Sequence, residues 1–297
     1  CNPDPGFYKQ CSGSTVASVN AIKTEESMTN CVKTSYVRTR FREICEEHLK
    51  EYGFQWKKNG CFRVIHDVVQ VVSFERIFSG SGLRIYFSIK ALCYFQDGNL
   101  TDFLTEGCFP LRLFKVPPKK RWIDGIYCSY WRDDNECWMH DPRDQEDCEN
   151  CLCEISEYMK DYLVPLFLVG DSCKTGFDVL SQFIATSEWA DTWKYNTTQY
   201  YMALKNRDYA YALEYLESCI SGAYKGFEEE EERYKSNPDD YSAEEKERLR
   251  KWRERIQILS HKIELLKNSE YAYFEELVDR NEACFRKALE ETKIKIL

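Results

Sequence analysis

The clearest hydrophobic pattern in the sequence lies in its last third, where apolar residues recur at every third or fourth position. Between residues 242 and 268 the steps alternate between three and four, which is the a/d pattern of helices that pack side by side. Ser242 and Glu245 have the spacing of a capping box at the start of this helix. The predicted seam consists of Leu249, Trp252, Ile256, Leu259, Ile263 and Leu266.

Two further helices are predicted on either side, over residues 207 to 235 and 270 to 296. Asn237 and Pro238 supply a turn between the first helix and the second. Long helices with short connections pack as antiparallel neighbours, so we expect an up-down-up bundle. The apolar residues of the outer helices are Leu213, Leu216, Ile220, Tyr224 and Phe227, and Phe274, Val278, Phe285 and Leu289.

A disulfide pairing follows from this predicted bundle. At 1.5 Å per residue, Cys219 lies about 18 Å along the first helix and Cys284 about 21 Å along the third. The first and third helices run in the same direction, so the two cysteines lie at similar heights. We therefore predict a disulfide between Cys219 and Cys284, provided that their Cα atoms come within about 7 Å.

The first half of the chain has weaker patterns. Residues 25 to 52 predict a helix that stops at Gly53. Residues 61 to 78 place apolar side chains at helical spacing, although their many β-branched residues favour a strand. We predict a helix there, because strict alternation fails at two Val-Val pairs.

Residues 83 to 89 are the best candidate for a β-strand. Apolar and polar residues alternate there directly after a Ser-Gly-Ser-Gly turn. A single strand needs a partner, and residues 111 to 116 are the nearest candidate. The alternatives are a small β-hairpin or no sheet at all.

The cysteines divide the chain into two parts. Twelve of the 15 cysteines lie in residues 1 to 153, and only three follow. We therefore predict a mainly α fold with a disulfide-stapled mixed domain at residues 1–153, containing the small β-hairpin. The second domain, residues 154–297, is predicted to be an antiparallel helical bundle with long helices and a coiled-coil seam.

Cysteine content also indicates the compartment. Only Cys148 and Cys151 have CxxC spacing, and no second knuckle follows, so disulfides are favoured over a zinc site. Asn99 and Asn196 begin N-glycosylation sequons. We predict an extracellular glycoprotein, secreted or on the cell surface. Because the chain begins at Cys1, we expect either a processed N-terminus or a sequence that starts after the signal. Fifteen is an odd number, so one cysteine stays free or pairs with another chain.

Composition excludes several classes of protein. An aromatic content of 15% is too high for a disordered chain. A net charge of −9 disfavours nucleic-acid binding. We predict no membrane span, because no stretch reaches the ~18 uncharged apolar residues that a span needs.

One short motif resembles a hydrolase. Gly170, Asp171 and Ser172 follow an apolar run and resemble the nucleophile block of GDSL-type esterases. That chemistry also needs a downstream Asp-x-x-His to deprotonate the serine, and His261 lacks an aspartate at that spacing. The favoured interpretation is a helix cap near Cys173.

A second motif resembles another hydrolase. His66 and Asp67 resemble the His-Asp pair of secreted phospholipases A2, but the calcium loop and flanking cysteines of that family are missing. We predict that His66 has a structural role and is partly buried.

An acidic segment resembles a calcium site. Asp133 to Cys137 resembles the Asp-x-Asn-Glu-Cys opening of calcium-binding EGF modules, in which carboxylates hold the ion. The following cysteine spacing departs from that family. We therefore favour a solvated acidic loop and predict neither metal nor cofactor.

Two surface features suggest a partner. An acidic run at residues 228 to 232 is either a solvated helix end or a docking face for a basic partner. An aromatic segment is a candidate interface, since aromatic residues are enriched at interfaces. Its residues are Trp122, Tyr127, Tyr130, Trp131 and Trp138.

The expected function is therefore a non-enzymatic binding or structural module for another protein or extracellular macromolecule. Two alternatives stay open. Tyrosine- and phenylalanine-rich helices could line the cavity of a carrier for a small apolar ligand. Carboxylates distant in sequence could serve an extracellular hydrolase.

Overall fold

A small antiparallel sheet lies between two layers of helices. The computed structural model describes residues 32–76, 83–96, 98–107, 109–110, 145–185 and 194–292. In this part the chain is mainly helical, as the sequence predicts. The helices are α1 (Thr34–Leu49), α2 (Leu100–Thr105), α3 (Gln145–Tyr158), α4 (Val164–Val169), α5 (Cys173–Ala185), α6 (Thr197–Lys205), α7 (Tyr209–Ser236), α8 (Ala243–Lys267) and α9 (Ala272–Thr292).

The strands follow one another in the sheet in chain order, each antiparallel to the next. Lys58 and His66 begin the tight turns after β1 and β2, with positive φ angles of 52° and 50°. The last strand has only two residues. The strands are β1 (Gln55–Lys57), β2 (Gly60–Ile65), β3 (Val68–Arg76), β4 (Leu83–Ala91) and β5 (Phe109–Pro110).

Both faces of the sheet are buried. One face carries Val72 and Phe87, and it packs against α1, α3, α5 and α6 in the main core. The other face carries Val69 and Val71, and it packs against α2 and Phe285 of α9. A strand enclosed on both sides has apolar residues in succession, so its sequence does not alternate.

This double burial explains one wrong prediction. In the segment predicted to be helical, residues 61 to 76 belong to β2, a two-residue turn and β3, and not to a helix, and residues 77 and 78 lie outside the described residues. The two Val-Val pairs that argued against a strand supply opposite faces of the same sheet. The β-branched residues gave the better signal, because they suit a pleated surface.

The strand predicted at residues 83 to 89 is confirmed as β4. Its neighbours in the sheet are β3 and the two residues of β5. The partner predicted at residues 111 to 116 lies outside the described residues.

The first predicted helix is confirmed over α1. It continues through a 3-10 turn, Lys50–Tyr52, to Gly53, whose φ of 85° ends the helix in the left-handed conformation as expected. The part predicted for residues 25 to 31 lies outside the described residues.

The three long C-terminal helices are confirmed as α7, α8 and α9, and Ser242 and Glu245 form the predicted capping box. Helices α7 and α8 pack together as a hairpin. Helix α9 instead packs against the 3-10 turn Leu92–Tyr94 and against α6. The final helix thus belongs to the layer that covers the sheet.

The main core includes both sides of the predicted domain boundary. Residues 153 and 154 lie inside α3, an unbroken helix. Cys148 and Ile155 of this helix are buried in one cluster with Phe41 of α1 and Phe274 of α9. The two predicted parts therefore share a core.

Candidate functional site

The structure brings the two hydrolase-like motifs to one corner of the molecule. His66 lies in the β2–β3 turn, and Asp171 and Ser172 lie between α4 and α5. The Nδ1 atom of His66 is 3.2 Å from the backbone oxygen of Asp171 and 3.8 Å from its Oδ2 atom. Sequence spacing gave no reason to expect this meeting, because about a hundred residues separate the two motifs.

The geometry at this corner does not activate the serine. The Ser172 hydroxyl is 2.8 Å from the hydroxyl of Thr175, and its hydrogen bonds within the described residues lead there and not to His66. A serine nucleophile needs a base within hydrogen-bond reach. The side chain of His66 is also 63% exposed, so the partial burial predicted for it is wrong. The short turn leaves this side chain in solvent.

Asp67, the other half of the phospholipase-like pair, is a helix cap. Its Oδ1 atom accepts a hydrogen bond of 2.8 Å from the backbone nitrogen of Cys173, the first residue of α5. A carboxylate is stabilised at the positive end of a helix. Helix α5 is therefore capped from the β2–β3 turn as well as from the loop that precedes it, where the cap was predicted.

A buried polar network holds the α4–α5 corner on the sheet. Arg63 Nη2 and Gln70 Nε2 both donate to the backbone oxygen of Phe167, at 3.0 and 2.6 Å, and Gln70 also donates to Gly170 at 2.8 Å. Arg63 Nε donates to Gln70 Oε1 at 2.7 Å. Burial lowers the pKa of the Arg63 guanidinium. This network satisfies carbonyls at the end of α4 that the helix itself leaves unpaired.

Sequence reasoning missed this network. Arg63 and Gln70 lie opposite each other on β2 and β3, in a segment predicted to be helical. The only signal was that Arg63 and Gln70 are each a single polar residue with apolar neighbours on both sides.

Two thiols in the core have no nucleophilic character. Burial, and then the Glu282 carboxylate, raise the pKa of Cys93. Burial, and then Asp67, raise the pKa of Cys173. Because the thiolate is the reactive form, these cysteines stay protonated and inert at neutral pH.

The predicted Cys219–Cys284 disulfide is not formed. Both residues are free thiols, as are Cys45, Cys61, Cys93, Cys153 and Cys173. Cys284 packs beside the cluster beneath α9, whereas Cys219 lies near Tyr215 on α7. The pairing fails because α9 turns to the sheet instead of running beside α7. The disulfide staples of the first half are therefore not observed in the described residues.

The two sequons have different environments. Asn99 is exposed and begins α2, where its Oδ1 atom accepts a hydrogen bond from the backbone of Thr101. Asn196 is only 5% exposed; its Oδ1 atom accepts from the backbone of Gln199 and its Nδ2 atom donates to Gln199 Oε1. A glycan is attached through the Nδ2 atom of asparagine. This atom is accessible in Asn99 and is not accessible in Asn196.

The predicted aromatic interface and the calcium-like segment both lie outside the described residues. These are Trp122, Tyr127, Tyr130, Trp131 and Trp138 for the interface, and residues 133 to 137 for the acidic segment.

The acidic run on α7 is partly neutralised by α8. Glu230 pairs with Arg248 at 3.1 Å, and Glu231 pairs with Arg253 at 2.9 Å. These contacts connect an acidic helix with a basic one. The run is therefore a solvated but internally paired helix face, and two of its five carboxylates are already matched.

The outer part of the α7–α8 hairpin, residues 220 to 258, has a small core of its own. Ala223 and Phe227 of α7 pack there against Leu249 and Ile256 of α8. The partly buried side chains around them belong to the same two helices and to Tyr241 in the connecting turn. At 1.5 Å per residue, α7 is about 42 Å long, so this part projects well beyond the sheet. We call it the distal hairpin.

The described residues provide neither a metal site nor a membrane-spanning helix. In the described part of the chain, no three His, Cys, Asp or Glu residues lie where they could hold a metal ion. Among the helices that the structure describes, none has the length and apolar character to cross a bilayer.

Comparison with known proteins gave no relative. No protein-family model, curated protein or solved structure matches the chain.

Proposed function

We propose that the protein is a non-enzymatic binding module that docks another protein through its distal hairpin. The observation that carries this proposal is the separation of the distal hairpin from the main core. The four buried residues of its core all belong to the two hairpin helices, and Ile220 at its base also packs against the main core. A long rigid projection with a separate core suits contact with a second molecule.

The surface of the distal hairpin fits a protein partner better than a nucleic acid. Charges of both signs are interleaved on it, and many are already paired across the two helices. A basic stripe is what nucleic acid requires, and the chain as a whole carries −9. Tyr224 and Ile258 are each 40% exposed and provide apolar contacts among these charges. Tyrosine in particular is enriched among residues that dominate binding energy.

Three observations support a role without catalysis. Among the residues that the structure describes, no base is hydrogen-bonded to the Ser172 hydroxyl, and the thiols of Cys93 and Cys173 are held protonated. The buried Glu282 carboxylate is paired with Lys205 at 2.5 Å. Such a carboxylate is held by its partner and is not poised for proton transfer.

An extracellular location is part of the proposal. It is supported by the 15 cysteines of the chain and by the exposed sequon at Asn99. The disulfide-stapled N-terminal part is likewise proposed, through cysteines that lie outside the described residues. Within residues 1–153, Cys45, Cys61, Cys93 and Cys153 are free thiols in the structure, so the proposed staples leave these four cysteines out.

The test is cross-linking of the full chain to proteins of its native extracellular fluid, followed by mass spectrometry. The variant Tyr224→Ser/Ile258→Ser alters the distal hairpin. The matched control, Leu168→Ser/Val169→Ser, alters the exposed apolar residues of the α4–α5 corner, which are 47% and 57% exposed. We expect cross-links from hairpin lysines to one protein, lost at least tenfold in the first variant and kept in the control.

Two results would overturn the proposal. One is equal recovery of the partner with both variants, which would place the contact elsewhere. The other is cross-linking of the hairpin only to a second copy of the chain, which would make it a self-association element.

A further inference from the structure

The face of the sheet that α2 and α9 cover carries three buried polar residues, Ser73 on β3 and Ser88 and Lys90 on β4. Ser88 is opposite Val71 in the sheet, and Ser73 is two residues further along β3. Lys90 is opposite Val69. Both valines belong to the smaller core, and residues directly opposite each other point to the same face of a sheet. All three polar side chains therefore point into the smaller core.

The end of α2 lies across this polar row. The Nζ atom of Lys90 donates hydrogen bonds to the backbone oxygens of Phe103 and Glu106, at 2.9 and 2.5 Å. The Oγ atom of Ser73 accepts a hydrogen bond of 3.0 Å from the backbone nitrogen of Gly107. Two of the three polar side chains are thus bound to the backbone of one short segment, residues 103 to 107.

Ser88 lies under the same segment but is not bound to it. Its position in the sheet is between that of Ser73 and that of Lys90, so residues 103 to 107 pass over it. The residue is 0% exposed. Its Oγ atom forms no hydrogen bond with any group in the part of the chain that the structure describes. The Ser88 hydroxyl is therefore a buried polar group that needs a partner.

A buried hydroxyl without a partner is destabilising, because it has lost the hydrogen bonds that it makes in water. Nearly all buried polar atoms in folded proteins are bonded either to another protein group or to an ordered water. The backbone above Ser88 is already in close contact with β4, since a Cβ atom at Gly107 would be 2.6 Å from the backbone of Tyr86. A closer approach of this segment is therefore not available as a way to supply the partner.

We propose that a buried water molecule is bound at the Ser88 hydroxyl, between β4 and the end of α2. A buried water requires polar groups around it, and the last carbonyl groups of a helix have no partner within the helix. An anion is disfavoured by these carbonyl oxygens, and a cation is disfavoured by the ammonium group of Lys90. A neutral molecule that both donates and accepts hydrogen bonds suits a serine hydroxyl on one side and carbonyl oxygens on the other.

This water would complete the attachment of α2 to the sheet. Lys90 and Ser73 hold the two ends of the segment directly, and the water holds its middle through Ser88. The site shares no residue with the distal hairpin, so a failure of partner binding leaves the proposal intact.

The test is a crystal structure of the full chain at a resolution that shows ordered waters. We expect a water within about 3 Å of Ser88 Oγ, and within the same distance of a backbone oxygen of residues 103 to 107. The Ser88→Ala variant should lose this water. The matched control is Ser73→Ala, which removes a buried serine hydroxyl from the same face of the sheet and should keep the water at Ser88.

Urea denaturation of the same two variants gives a second, independent readout. Ser73→Ala leaves the backbone nitrogen of Gly107 without its acceptor, so its urea midpoint should fall. The midpoint of Ser88→Ala should fall as well if the hydroxyl is bonded to a water. It should rise if the hydroxyl has no partner, because alanine then removes a desolvated polar group. A raised midpoint in Ser88→Ala would overturn the proposal, as would a wild-type crystal structure with no water at Ser88 Oγ or a water that stays fully occupied in Ser88→Ala.

Discussion

The indole ring of Trp252 on α8 lies against the backbone of Gly226 on α7. A Cβ atom at residue 226 would be 3.0 Å from the Cη2 atom of the indole, closer than side chains normally approach. The same indole contacts Phe227 edge to face, with ring centroids 5.7 Å apart. Gly226 thus permits the close packing of the two helices in the distal hairpin. Four residues earlier, Gly222 has no atom within 4 Å of the corresponding position.

These two glycines should respond differently to alanine. We expect Gly222→Ala to stabilise the protein by about 0.5–1 kcal/mol, because glycine is a poor helix former and the added methyl group meets open space. Gly226→Ala gains the same helix propensity but presses on the indole, so its net effect should be smaller by about 1 kcal/mol or more. Urea denaturation of both variants measures the difference. Equal stabilisation would show that the hairpin packs less tightly than described.

The Arg63–Gln70 network should be costly to break. In Gln70→Ala the carbonyl of Gly170 loses the donor that Gln70 provides, and Arg63 Nε loses its acceptor. Each buried group left without a partner costs about 1–3 kcal/mol, so we expect a loss of roughly 2–4 kcal/mol. Gln182→Ala, on the exposed face of α5, is the control and should change stability by less than about 0.5 kcal/mol. Chemical denaturation measures the free energy of unfolding of both variants. A loss in Gln70→Ala as small as that in Gln182→Ala would contradict the network.

The sequence predicted the seam of α8 correctly, but it did not predict the strands that contain Arg63 and Gln70. The seam of α8 was predictable because each of its residues faces the same neighbouring helix. Residues 61 to 78 were not, because a strand buried on both sides has no period of two to detect. At the α4–α5 corner, His66 and Asp171 meet although they are about a hundred residues apart in the sequence. Such a contact is set by tertiary packing and leaves no local pattern.

The route of α9 was unpredictable for a related reason. Its apolar stripe, which includes Phe274 and Phe285, is equally suited to a helix and to a sheet as neighbour. Only the availability of the sheet face decides between them. The Cys219–Cys284 prediction failed at this step, although the helix boundaries behind it were close to correct.

Glycosylation should distinguish the two sequons. We expect Asn99 to carry a glycan when the chain is secreted from eukaryotic cells, since its side chain is exposed at the start of α2. Asn196 should stay unmodified, because its Nδ2 atom is 2.6 Å from Gln199 Oε1 inside the fold. Mass spectrometry of tryptic peptides before and after glycosidase treatment measures both occupancies. A glycan at Asn196 would mean that modification precedes folding and displaces this contact.

Stability at acidic pH should depend on Glu149. Hydrogen bonds from Arg40 and then from Tyr36 hold the pKa of this carboxyl below its usual value, and Arg40 Nη2 lies 3.0 Å from Oε2. A lowered folded-state pKa gives stability that is present above the unfolded pKa of about 4.5 and is lost as the pH falls through the folded value. At pH 7 we expect Glu149→Gln to cost about 1 kcal/mol, because the pair is only partly screened by solvent.

The pH dependence tests whether the effect of Glu149→Gln on stability is electrostatic. The difference between wild type and Glu149→Gln should shrink when urea denaturation is repeated below about pH 4. Glu46→Gln is the control, since Glu46 forms only an exposed pair with Arg42 and should cost less than about 0.5 kcal/mol. A difference at Glu149 that is constant with pH would assign its effect to packing.

Unfolding should be cooperative across the predicted domain boundary. Leu152 of α3 is 1% exposed and lies in the core cluster that also holds residues of α1, the sheet and α9. Removing most of such a side chain costs about 2–5 kcal/mol. If the parts share one core, Leu152→Ala should weaken hydrogen-exchange protection equally in β3 and in α9. Protection lost on one side only would show that residues 1–153 and 154–297 fold as separate units.

The distal hairpin should exchange its amide hydrogens earlier than the main core in wild type and in Leu152→Ala, because its small core is held by two helices alone.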